Sequence, residues 1–120
     1  MMSQSKFKFE DLHVYQEALV FVDFVYGLTK SWPEDEIFGL TNQFRRAAVS
    51  IVLNIAEGTS RIKKDFRHFL DLSRGSCYEC FAILRISFSR GYVKQVDFDR
   101  GSEYCNKIAR MISAPKNSLR

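Results

Sequence analysis

Proline and glycine are scarce in this chain of 120 residues, at 2 and 6. Long stretches are therefore free of the residues that break a helix or force a turn. No apolar run approaches the roughly 18 residues needed to cross a bilayer, and Lys6, Lys8 and Glu10 interrupt any apolar core of a secretion signal. These absences predict a cytoplasmic protein that does not use a membrane. Cysteine is limited to Cys77, Cys80 and Cys105, an odd number without a secretion signal, which argues for reduced thiols rather than a disulfide framework. The chain also lacks a glycine-rich phosphate loop, a Walker lysine, a dinucleotide fingerprint, an alternating strand pattern and any internal repeat.

What the sequence does contain is 46% hydrophobic residues, with 11 phenylalanines, and 27% charged residues. A chain of this length buries roughly two thirds of its unfolded surface and folds as one domain without covalent staples. The formal net charge of +4 is unevenly spread. Residues 1–35 carry 3 Lys/Arg against 6 Asp/Glu, residues 36–75 carry 7 against 4, and residues 76–120 carry 8 against 4. A basic balance permits contact with nucleic acid and also serves solubility.

The apolar spacing predicts four helices. The first starts near Phe9 and ends near Lys30, with Leu12, Tyr15, Ala18, Leu19, Val22, Val25, Tyr26 and Thr29 on one stripe. Phe21 and Phe24 fall off that stripe, as exposed aromatics or as contacts to something beyond the domain's own core. Ser31-Trp32-Pro33-Glu34 has the form of a capping box, so a short turn tied down by Trp32 and Phe38 is expected. A second helix follows from Leu40 to Glu57, closed by Gly58 in a left-handed conformation, with Thr59-Ser60 as the next N-cap. The third runs from Arg61 to Arg90 with Phe66, Phe69, Leu70, Ser73, Cys77, Cys80, Phe81, Leu84 and Phe88 on its stripe, and stops at Gly91. Within it, Gly75-Ser76 reads as a notch for a closely approaching helix. Asp97 opens a fourth helix that carries Phe98, Gly101, Tyr104, Cys105, Ile108, Met111 and Ile112. The prediction is an all-α, antiparallel, up-down four-helix bundle over residues 9–113, with a flexible arm at 1–8 and a flexible tail at 114–120.

The second helix is the most unusual. At about 100° per residue, Gln43, Arg46, Ser50, Asn54 and Glu57 form one narrow polar arc. Apolar residues, broken only by Arg45, cover most of the remaining circumference, far more than a surface helix needs. This pattern predicts burial on more than one side and a polar packing seam, inside the bundle or between subunits. A half-buried Arg46 or Glu57 then requires a partner.

Candidate chemistry is sparse. Cys77 and Cys80 have zinc-knuckle spacing but sit at core positions on a helix, and neither histidine stands at metal-pair spacing to them, so no metal or other cofactor is expected. His13 and His68 have no evident nucleophile or orienting carboxylate, so no catalytic residue is assigned. The basic cluster Arg61, Lys63, Lys64 and Arg67, with Arg45 on the preceding helix, suits phosphate oxygens. Its alternative is a solvated face with local pairs such as Arg67 to Asp71.

Several of these residues carry a family resemblance. Phe9-Glu-Asp-Leu12 with Gln16 and Ala18, Pro33 to Thr41, Gln43-Phe-Arg-Arg-Ala-Ala-Val-Ser-Ile, Asn54-Ile-Ala-Glu-Gly58, Phe69-Leu70 and Gly75-Ser76 with Glu79 together resemble the 23S rRNA intervening-sequence proteins. That resemblance implies a small bacterial protein, four antiparallel helices, a ring-like homopentamer and no known catalytic activity. The family is similar in turn to the accessory variability proteins of diversity-generating retroelements, basic pentamers that bind a reverse transcriptase and nucleic acid. The chain departs from the family pattern at Tyr15, where tryptophan is usual, and at Phe81, in place of an acid. A third departure is Val52-Leu53, in place of Pro-Ser, which predicts a straighter second helix. The expected function is thus a non-enzymatic homo-oligomeric scaffold or accessory factor that contacts RNA, DNA or a nucleic-acid enzyme through Arg45, Arg61, Lys63, Lys64 and Arg67. An adaptor that captures proteins through Phe21 and Phe24 is the alternative, and an enzyme or metal protein using the cysteines the third.

Overall fold

Residues 7–114 are described by a computed structural model, in which four long helices follow one another: α1 (His13–Thr29), α2 (Leu40–Thr59), α3 (Lys63–Ser89) and α4 (Gln95–Ser113). Short 3-10 turns occupy Lys8–Asp11 and Glu34–Glu36, and the described residues contain no strand. Most of the expected arm and tail, residues 1–6 and 115–120, lies outside the described residues. Each helix packs on two neighbours, α1 on α2 and α4, and α3 on α2 and α4. Contacts between α2 and α3 run in opposite order, from Ser50 with Ser76 to Gly58 with Phe66. Those between α3 and α4 do likewise, from Arg67 with Ile112 through Cys77 with Cys105 to Leu84 with Gly101. The four-helix bundle is the one that the apolar spacing predicts.

The stripe on α1 is the expected one at Ala18, Val25 and Thr29, with Leu12, Tyr15 and Val22 packed at its edge, but it is centred differently. Its buried residues are Val14, Ala18, Phe21, Val25 and Thr29, whereas Leu19 and Tyr26 are exposed. Phe21 is fully buried against Phe24, Phe44 and Tyr104, and Phe24 is half-buried with Arg100 over its ring. The adaptor surface assigned to Phe21 and Phe24 is therefore part of the core. The reason is steric: spacings of four and three from Val14 give a stripe that includes the bulkier Phe21, whose burial contributes about 1.5–3 kcal/mol.

The breadth of the apolar face on α2 is satisfied within one chain. Phe44, Ala47, Ala48, Ile51, Val52 and Ile55 are all buried, because α2 lies between α1 and α3 and also meets both 3-10 turns. Leu53 alone among its large apolar residues is exposed.

Glycine roles also differ from expectation. Gly58 is helical and buried, and a Cβ there would lie 3.0 Å from both Phe66 and Phe69, so its smallness serves the close α2–α3 turn. Gly75 is exposed, and a Cβ there would meet nothing within 4 Å, so it is no packing notch. Gly101 fills that role, since a Cβ would stand 2.7 Å from Leu84 Cδ2. Gly91 does end α3 as expected, at φ 81°.

The helix starts lack the expected caps. Ser31 Oγ donates back to the Leu28 carbonyl, Thr59 and Ser60 to those of Ala56 and Glu57, and α3 and α4 begin after Ile62 and Lys94 without a side-chain cap. In the α1–α2 connection Trp32 is buried, stacked on Phe44 and tilted against Tyr92, but Phe38 is 93% exposed and ties nothing down. Glu36 performs that task. Its Oε1 accepts from the Leu40 N–H and its Oε2 from the Tyr92 hydroxyl, with Arg90 at 3.9 Å.

Candidate nucleic-acid interface

The turn between α2 and α3 gathers four of the five basic residues singled out from the sequence. Ile62, extended at φ −70° and ψ 164°, starts α3, so Lys63 and Lys64 occupy its first turn beside Asp65. Both lysines are exposed, and neither has a hydrogen bond or ion pair among the described residues. Cations at a helix N-terminus oppose the macrodipole by about 0.3–1 kcal/mol. Fold stability therefore does not account for this pair. The same N-terminus leaves its first backbone N–H groups without a side-chain cap, and such groups favour anions.

The two arginines are more committed. Arg61 forms an ion pair with Glu57, four residues back, and lies over the Phe69 ring at 5.0 Å. Arg67 donates through Nη2 to the Ile112 carbonyl at 2.9 Å, closing the C-terminal turn of α4, and its Nε stands 3.5 Å from Asp71. The local pair between Arg67 and Asp71 thus exists, and both residues remain about half exposed. His68 packs edge-on against Phe69.

Arg45 does not join this cluster. It lies 16 residues before Arg61, about 24 Å along a helix at 1.5 Å per residue. There its Nε donates to Thr29 Oγ1 at 2.8 Å, and its guanidinium covers the Tyr26 ring at 4.6 Å. The arc on α2 also separates into parts. Ser50 Oγ accepts from Asn54 Nδ2 at 3.0 Å and from Ser76 Oγ of α3 at 2.9 Å, which makes a hydrogen-bonded knot inside the protomer. Glu57 turns to Arg61, while Gln43 and Arg46 are exposed.

The thiols are close in space despite their distance in sequence. Cys77 Sγ donates to the Cys105 carbonyl at 3.1 Å, and all three cysteines are buried and free. Burial, with the neighbouring Cys77 and Glu79, pushes the Cys80 thiol well up; the hydrogen bond between Cys105 and Cys77, together with burial, does the same for Cys105 and draws Cys77 down. Cys80 and Cys105 are thus neutral as well as enclosed, which makes them poor nucleophiles, and Cys77 is equally enclosed. Among the described residues no three His, Cys, Asp or Glu side chains are disposed to hold a metal ion, and no helix is long and apolar enough to cross a membrane.

Sequence reasoning located the lysines but missed two surface features. The exposed Ile62 beside them is invisible to periodicity because it lies outside a helix. The exposed Phe38 shows no charge or spacing signal that distinguishes it from a buried ring.

Comparison with known proteins agrees with this architecture. No curated protein matches the chain. A solved structure of a protein of unknown function from the S23 ribosomal protein family of Bacteroides thetaiotaomicron is similar in fold, with a TM-score of 0.77 and 21% identity. The match covers 82% of this chain and 94% of that one. The description of the family matching residues 10–114 is 23S rRNA-intervening sequence protein. The chain is a member of the 23S rRNA-intervening sequence protein family.

Proposed function

We propose that the protein is a non-enzymatic, self-associating scaffold of the cytoplasm that contacts nucleic acid through the α2–α3 end of its bundle. The observation that carries this reading is the exposed Lys63–Lys64 pair, which works against its own helix and has no carboxylate partner among the described residues. Phosphate oxygens supply the missing counter-charge, and the adjoining uncapped N–H groups add donors of the right polarity. Arg61 and Arg67 stand beside the pair with about half of each side chain exposed. The family description, which refers to an intervening sequence of 23S rRNA, makes RNA the first nucleic acid to test.

A single end with one exposed lysine pair binds weakly. Self-association multiplies that contact, because linked copies engage one strand with a high effective concentration. A ring of five copies, as the family resemblance implies, presents five such ends.

The test is fluorescence anisotropy of a labelled RNA hairpin and a DNA duplex over a salt series. Affinity should fall steeply with salt, and Lys63→Glu with Lys64→Glu should weaken it at least tenfold and flatten the log–log slope by about 2, near one unit per phosphate contact. Absence of binding at low salt removes the nucleic-acid reading.

A further inference from the structure

The side chain most at odds with a soluble surface is Phe38, 93% exposed beside the 47% exposed Ile37. Its loop is not slack. Ile37 N donates to the Glu34 carbonyl, Gly39 N to that of Glu36, and Glu36 itself is bonded to Leu40 and Tyr92. A backbone already fixed leaves only the rotamers of the ring to be ordered on docking, which suits an interface anchor. Glu34 and Asp35 precede this knob, both exposed and neither in an ion pair among the described residues, while Lys30 and Arg45 share a hollow with it, Arg45 being engaged by Thr29 and Tyr26.

A groove of about 330 Å³ between α3 and α4 has the opposite character. Tyr78 and Phe81 line it with Ser102, Asn106 and Ala109, and both aromatics are exposed, Tyr78 at 61%. Ser102 Oγ is buried without a partner among the described residues. Its surroundings are basic: Arg74 lies 5.4 Å from the Tyr78 ring, and Arg85 lies over Phe98, which packs against Phe81. Neither arginine has an ion pair among the described residues.

We propose that the α3–α4 groove receives the Ile37–Phe38 knob of a second copy of this chain, with Glu34 and Asp35 of the knob facing Arg74 and Arg85 of the groove. A second copy is favoured because an apolar anchor with two unpaired carboxylates beside it meets an apolar groove with two unpaired guanidinium groups beside it. Within one chain the two cannot meet, since hydrogen bonds fix the knob at the α1–α2 end while the groove lies midway along α3. Contact between two different patches is heterologous, and it builds a ring or an open chain instead of a two-fold dimer. The proposal rests on the self-association proposed above and names the surfaces that produce it.

Sedimentation velocity at micromolar concentration tests it with the full chain, Phe38→Asp, Tyr78→Asp and an equimolar mixture of the two variants. Both substitutions fall on exposed side chains, so each variant should keep the wild-type helical circular dichroism, and Phe38→Ser and Tyr78→Ser provide milder equivalents. The expected result is an oligomeric parent, two monomeric variants and a mixture that forms a 1:1 dimer through its one remaining knob and groove. A parent that is itself monomeric removes self-association altogether. An oligomeric parent with an equally oligomeric Phe38→Asp or Tyr78→Asp overturns the knob and groove while self-association stands on another face. Monomeric variants whose mixture stays monomeric also overturn it, leaving the groove to a different occupant.

Discussion

A methyl group added at Gly75 enters solvent, whereas one added at Gly101 runs into Leu84 and the Phe24 ring. Both positions are inside helices, where alanine is worth about 1 kcal/mol over glycine. Gly75→Ala should therefore stabilise the protein by about 0.5–1 kcal/mol. Gly101→Ala should destabilise it by about 1 kcal/mol, because overpacking against the fully buried Leu84 costs about 1–3 kcal/mol and outweighs the same helical gain. Urea denaturation of the two variants measures both signs. Sequence alone selected Gly75 as the crowded glycine and passed over Gly58 and Gly101 in that role. A glycine has the same identity in open and in crowded surroundings, and only the neighbouring helix separates the two cases.

Between elements, individual side chains hold the connections that helix periodicity leaves undetermined. Thr29 Oγ1 donates to the Val25 carbonyl at 2.7 Å and accepts from Arg45, so Arg45 joins the end of α1 to α2. Arg45→Ala should lower stability by about 1–2 kcal/mol, through the lost hydrogen bond and the lost contact with Tyr26. The same variant should leave RNA affinity unchanged in the anisotropy experiment. Glu36 links the Glu34–Glu36 turn, α2 and the α3–α4 connection, and its hydrogen bonds from Leu40 and Tyr92, aided by Arg90, hold its carboxyl below the usual carboxylate range. A depressed native value means that the stabilisation is present above the ordinary range and is lost as pH falls through the native value. Thermal melts between neutral and acid pH should show this loss, and Glu36→Gln should flatten it. Neither connection shows in the sequence, because Arg45 reads there as one more surface cation and Glu36 as part of an acidic run.

At the scale of the molecule, the number, order and approximate ends of the helices were legible from apolar spacing, since a buried stripe must recur every three or four residues. Its centre on α1 was legible only in part: Ala18, Val25 and Thr29 are buried as expected, but Tyr15, Leu19, Val22 and Tyr26 form an equally regular row, of which Leu19 and Tyr26 are exposed. The basic end was legible as charge, but the engagement of Arg61, Arg67 and Arg45 depends on Glu57, Ile112 and Thr29, and only folding supplies those last two contacts. The two ends of α2 differ in what they gather: Glu34, Asp35 and Glu36 stand at one, with Lys30 and Arg90 among them, and Arg61, Lys63 and Lys64 at the other, with Glu57 and Asp65.

Trp32, at the α1–α2 end, is the chain's one tryptophan. It is buried between Phe44 and Tyr92, with its indole N–H unpartnered among the described residues. Its emission therefore reports on a single end of the bundle, and admitting water to that N–H shifts the spectrum to the red. Fluorescence and circular dichroism melts that coincide would mean that both ends come apart together, and a fluorescence transition at lower temperature would time the opening of the α1–α2 end by itself.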